Sequence, residues 1–285
     1  MAIIDFDKVA NEELVLVAKM GALAALNAPQ ITETVQVKTS IVYGKEDVLP
    51  MVKFLRIKAE DSFVDFGEYR TLARCYEEDR LPVVLIIGIS NLRRMELNWN
   101  CGACGFATCD EFNRYAEEVR TEVGAYGYGG GPFCCWKAID AGIIYDWACA
   151  AIAECNVENR PEASVGQAGM QLVPHLEGCE WVSGITIGPC GGDQVWFNRP
   201  ALQETFTEKD VVEHLRRAIP SHFLAFPGTG DPKVKYGPDW ETDPKYVRFE
   251  GKPKEFYEEH ARKRKRINKI VEQFKRERQG KTGKS

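Results

Sequence analysis

Leu81-Pro-Val-Val-Leu-Ile-Ile-Gly-Ile89 leads, through Asn91–Trp99, into Cys101-Gly-Ala-Cys104-Gly-Phe-Ala-Thr-Cys109. The first stretch is short, continuously apolar and rich in Val and Ile, which predicts a strand buried on both faces. The second packs three cysteines and two glycines into nine residues and predicts a tight loop. Gly102 and Gly105 fit a loop that needs positive φ and backbone amides turned toward sulfur.

A fourth thiol follows in Gly130-Gly-Pro-Phe-Cys134, at the mouth of an apolar segment running to Cys155. Iron–sulfur clusters are held by four Cys thiolates in most proteins, and three close donors with one remote suit a cubane. Structural zinc usually pairs two CxxC-type knuckles, and a thiol redox pair needs only two cysteines. The iron–sulfur reading is preferred, with Cys101, Cys104, Cys109 and Cys134 as ligands. Cys135 is adjacent, but Cys134 sits directly in the Gly-Pro-Phe-Cys turn and is favoured. Asp110 and Glu111 open the next predicted helix, 110–123, and set its positive dipole end beside Cys109.

Working outward, a helix is expected from an Asn11 cap to Pro29, a strand within 33–43, and helices over 46–58, with Pro50 in its first turn, and within 67–78. Gly124–Gly131 reads as a glycine-rich linker, 133–155 as a long buried helix, and 182–187 and 194–197 as strands. After Pro200 the texture changes. A short helix over 207–218 precedes an extended arm, 220–253, with six prolines, and a basic helix from about Pro253 to Arg278. The expected organisation is therefore a domain over 1–200 and an extension over 201–285.

The chain has 285 residues, 44% hydrophobic and 28% charged, enough to bury a sizeable core. Its net charge of −5 is uneven: residues 260–285 carry +9, leaving −14 on the remainder. An acidic body argues against nucleic acid as a partner. Within the tail, Ile267, Ile270, Val271 and Phe274 form one apolar stripe at helical spacing, which predicts docking onto the chain's own body or a partner subunit. No basic segment leads into a long apolar run, so neither a secretory signal nor a membrane span is expected. Ten cysteines then point to metal or redox chemistry in a reducing, cytoplasmic setting.

Cys-Gly-Ala-Cys-Gly-Phe-Ala-Thr-Cys, Gly-Pro-Phe-Cys-Cys-Trp-Lys-Ala-Ile-Asp-Ala-Gly-Ile, Asn156-Val-Glu-Asn-Arg160 and Gln194-Val-Trp-Phe-Asn-Arg-Pro200 occur in one order and spacing. Over residues 8–200 the chain resembles the uncharacterised "ferredoxin domain-containing" family of anaerobic bacteria and archaea. The resemblance implies a 4Fe–4S cluster on Cys101, Cys104, Cys109 and Cys134. The extension beyond Pro200 exceeds the family's usual length.

Ala24–Pro29 after an N-terminal helix, with Asp140-Ala-Gly-Ile on a long apolar helix, also looks like the nitroreductase fold. That likeness implies an α+β sandwich with a central mixed sheet between helices. FMN does not carry over with it, because Lys8 and Lys19 are the only cations before Lys38.

The expected function is electron transfer through one 4Fe–4S cluster, as part of a larger anaerobic redox complex reached through the C-terminal basic helix, with a homo-oligomer left open. A flavin- or substrate-binding oxidoreductase and a metal-stabilised structural subunit are the alternatives. Cys149, Cys155, Cys179 and Cys190 leave room for a second metal centre. Trp99, Tyr126, Tyr128, Phe133 and Trp136 are expected to shield the cluster.

Overall fold

Four strands, β1 (Gln36–Val42), β2 (Val83–Ser90), β3 (Asn159–Glu162) and β4 (Trp181–Ile187), form one sheet in the order β1-β2-β4-β3. The computed structural model describes residues 6–60, 63–118, 132–190, 196, 207 and 254–282. β2 is central and buried almost throughout, as its unbroken apolar run predicts. Alternation along it sends Val83, Leu85, Ile87 and Ile89 to one face and Val84 and Ile86 to the other.

Helices cover both faces. α1 (Phe6–Leu26) and α5 (Cys135–Ala153) lie on the first, where Leu14, Ala18, Ile144, Ala148 and Ile152 close over Leu85, Ile87 and Ile185. α2 (Lys45–Lys58), α3 (Phe63–Glu77), α6 (Ala163–Leu172) and the C-terminal α7 (Lys254–Thr282) lie on the second. There Phe54, Leu55, Leu72, Val165, Ile267 and Phe274 pack with Val84 and Ile86. Each such side chain contributes about 1.5–3 kcal/mol by leaving water. α4 (Cys109–Glu118) carries a smaller third cluster of Met95, Cys109, Phe112, Ala116 and Cys134.

The sheet lies between two layers of helices and is antiparallel in all three pairings among the described residues, where a mixed sheet was expected. Between β1 and β2 the chain makes two helices packed on each other, α2 and α3. Two traversals return it to the end it left, whereas a single crossover helix would give parallel strands.

α1 extends back to Phe6, so Asn11 lies inside it rather than at its cap. No Gly or Pro before Asn11 stops the helix there. Pro50 sits in the second turn of α2, not the first. Two elements have no clear sequence signal. β3 contains Pro161, tolerated because among the described residues β3 lies at the edge of the sheet, paired with β4. α6 contains two glycines, and a Cβ on Gly166 would collide with the Ser183 backbone, so close packing overrides helix propensity there. Within the strand expected over 194–197, Trp196 alone is described and is helical; its indole N–H donates to the Gly188 carbonyl at 2.9 Å. The expected linker 124–131 and arm 220–253, and the expected helix beyond Thr207, lie outside the described residues.

The stripe on α7 is used internally. Ile267 and Phe274 are buried with α2 and α6, and Ile270 and Val271 pack beside them. Arg266 forks onto Glu60 at 2.7 and 2.9 Å, and Arg278 reaches Asp47 at 3.0 Å. Of the two dockings expected for this stripe, on the chain's own body or on a partner subunit, it makes the first. The boundary at residue 200 marks a change of composition, and the second core draws on both sides of it.

Candidate metal centre

The end of β2 organises the site. Cys134 N–H donates to the Leu92 carbonyl at 2.9 Å, which fixes the entry to α5. Asn113 of α4 bonds Met95 twice, accepting from its N–H at 2.8 Å and donating to its carbonyl at 3.1 Å. α4 starts with a capping box: Glu111 N–H donates to Thr108 Oγ1 at 3.2 Å, and Thr108 N–H to Glu111 Oε2 at 3.3 Å.

Between these anchors runs the cysteine loop. Gly102 and Gly105 take φ of +71° and +85°, and Gly105 N–H donates to the Gly102 carbonyl at 2.9 Å. That is the left-handed backbone for which glycine was expected. Asn100 ties the ends together. Its side-chain oxygen accepts from Cys109 N–H at 2.8 Å, and its own N–H faces Cys109 Sγ at 3.3 Å.

Cys101, Cys104, Cys109 and Cys134 line one pocket, closed by Met95, Phe106, Phe112 and Trp136. Cys109 and Cys134 are buried, Cys104 is half-buried and Cys101 is exposed. The pocket thus has a dry side against α4 and an open corner at Cys101. Cys135, the first residue of α5, also lines it but stands outside the apolar cluster that encloses Cys134.

Burial pushes the Cys134 thiol up, and the neighbouring Cys104 adds to this, while the Trp136 and Lys137 amides at the start of α5 favour its thiolate. The Ala103 amide, then the Trp136 indole N–H at 3.2 Å, draw the Cys101 thiol below the usual range. Lys137 is fully buried in the first turn of α5 and pairs with Glu96 at 2.6 Å. Burial raises the Glu96 carboxyl, but hydrogen bonds led by the Lys137 ammonium hold it low.

Clustered thiolates repel one another unless a cationic centre offsets their charge. This donor set fits an iron–sulfur cluster: four thiols, N–H groups turned to sulfur, and an apolar wall. Among the described residues no three His, Cys, Asp or Glu side chains converge closely enough to hold a single ion.

The aromatic residues divide. Trp99 and Trp136 meet edge to face at 6.3 Å beside Cys101, and Phe106 packs on Phe112 at 5.8 Å. Phe133 instead lies 6.0 Å from Trp181, in the core under α1 and α5, so it is not part of the shield. Tyr126 and Tyr128 lie outside the described residues. The candidate second centre is dispersed: Cys179 is buried on one face of the sheet, while Cys149 and Cys190 pack on the other. Burial pushes Cys149 up to about 11, and Cys155 Sγ lies 4.0 Å from Met20 Sδ.

Residues 130–199 match the model of a family described as "Uncharacterized protein containing a ferredoxin domain". That stretch includes Cys134 and begins after Cys101, Cys104 and Cys109. The chain is also similar to an uncharacterized protein of Archaeoglobus fulgidus, 23% identical over 190 residues, which cover 67% of this chain and 94% of the archaeal one. No solved structure matches the chain, and nothing found supports the expected nitroreductase likeness. No described helix is long and apolar enough to cross a membrane.

Proposed function

We propose that the chain holds one 4Fe–4S cluster on Cys101, Cys104, Cys109 and Cys134 and serves as a cytoplasmic electron-transfer protein of an anaerobic redox system. The observation that carries this reading is the single pocket lined by these four thiols, with Asn100, Ala103 and Trp136 N–H groups turned to sulfur. A bound cluster supplies one-electron transfer at a potential set by its surroundings.

The chain's own residues divide the remaining work. Met95, Phe106 and Phe112 exclude water, and Gly102 and Gly105 give the loop its turn. The amides at the start of α5 disperse thiolate charge beside Cys134. Cys101 and Trp99 form the exposed corner where a redox partner approaches. With its apolar stripe occupied, α7 offers such a partner its exposed cations, among them Arg262, Lys265 and Lys269.

Single Cys→Ser variants test the ligand set. Protein reconstituted anaerobically with iron and sulfide should lose most of its iron when Cys104, Cys109 or Cys134 is changed, and keep it in Cys135→Ser. Full iron content in Cys134→Ser, with loss in Cys135→Ser, would exchange the two. Full content in Cys104→Ser or Cys109→Ser would remove that residue from the set.

A further inference from the structure

We propose that the outer face of the α1/α5 layer is the interface of a symmetric dimer of this chain. α5 is apolar on every side, the composition of a helix buried all round. Two of its three charged side chains nevertheless point inward. Lys137 pairs with Glu96, and Asp140 accepts hydrogen bonds from Ile31 N–H, Thr32 N–H and the Thr32 hydroxyl. The side turned away from the sheet carries Ile139 and Trp147, 42% and 47% exposed.

α1 runs antiparallel beside it. Gly21 lies against Ile152, Met20 Sδ is 4.0 Å from Cys155 Sγ, and Asp140 holds the loop after α1. The outer side of α1 presents Leu16, Met20, Leu23 and Leu26, 45–61% exposed. With Ile139 and Trp147 they offer roughly 600 Å² of apolar surface, at the upper end of the largest patches on monomers.

That area, with the balance of charge across it, favours a second copy. A standard interface takes about 800 Å² from each partner, and about two-thirds of it is apolar in homodimers. The charges agree. Lys19 is the one charged residue of α1 between Leu16 and Asn27, and Asp146 the one exposed charge of α5 between Ala138 and Ala150. In a two-fold contact the same patch meets itself, and its one cation and one anion can pair across the axis, Lys19 of each copy with Asp146 of the other. A Cβ added to Gly142, on the same outer side, meets nothing within 4 Å, leaving room for a neighbouring helix.

Sedimentation of the full chain, anaerobic and with thiols reduced, tests this without reference to the cluster. Wild type should run at twice the chain mass at micromolar concentration. Leu23→Asp and Trp147→Asp, both at exposed positions, should run at the chain mass with unchanged circular dichroism. Hydroxyl-radical footprinting of wild type, which needs no variant to fold, should find Met20 and Trp147 protected in the dimer and labelled on dilution. A wild type that stays at the chain mass would overturn the proposal, whether the face is then free or covered by another part of the chain. So would variants that remain dimeric, or a dimer whose Met20 and Trp147 label freely.

Discussion

Trp136 shows how one side chain can tune this site. Its indole N–H reaches Cys101 Sγ at 3.2 Å on the exposed corner, and its ring rests edge-on against Trp99. Hydrogen bonds to sulfur stabilise the more negative, reduced state of a cluster. Trp136→Phe should therefore shift the midpoint potential to a more negative value with iron content unchanged. A potential equal to that of wild type would confine Trp136 to shielding. Three of the thiols are legible in the sequence because their spacing is local, and the fourth by its Gly-Pro-Phe-Cys turn. Asn100 is not, since a bridge from residue 100 to residue 109 follows no periodicity. The Thr108-x-x-Glu111 capping box is a local pattern and could have been read.

A buried thiol away from the site has its own consequence. Burial lifts Cys75 to about 12, above the ordinary thiol value. A folded-state value above the unfolded one means stability is intact below the unfolded value and is lost as pH rises toward the folded one. Denaturation midpoints should fall between about pH 9 and about pH 12, less steeply in Cys75→Ala. Equal slopes for the two proteins would assign the alkaline loss to other groups.

Among the elements, α5 joins fold and site, because its first turn faces the thiols and its second anchors the loop after α1. Asp140 is fully buried and accepts three hydrogen bonds. Asn in its place turns an amide donor toward a donor, so Asp140→Asn should cost about 1.5–3 kcal/mol in chemical denaturation. A loss below the error of the measurement would mean that Asp140 does not hold the loop after α1. The α5 and β2 segments are readable because their apolar composition is dense and continuous. β3 and α6 are not, because an edge position and a close approach, both tertiary facts, permit Pro161 and Gly166.

For the whole molecule, the C-terminal helix is part of the fold. Its composition is basic, and its one apolar stripe predicts docking without choosing between the chain's own body and a partner. The contacts of Ile267 and Phe274 with α2 and α6 decide for the chain's own core. Phe274→Ala should destabilise the protein by about 3–5 kcal/mol, while removing the Arg266–Glu60 pair should cost only up to about 1 kcal/mol, because both partners are half exposed. Chain ending at residue 253 should unfold at lower denaturant than the full chain. Equal midpoints would return α7 to the status of an appendage.

The most direct test of the account is iron and acid-labile sulfide per chain, measured on protein prepared anaerobically, with electron paramagnetic resonance before and after dithionite. About four irons and four sulfides, and a reduced-state signal absent before reduction, are predicted. One zinc per chain, or no inorganic sulfide with the four cysteines intact, would contradict it.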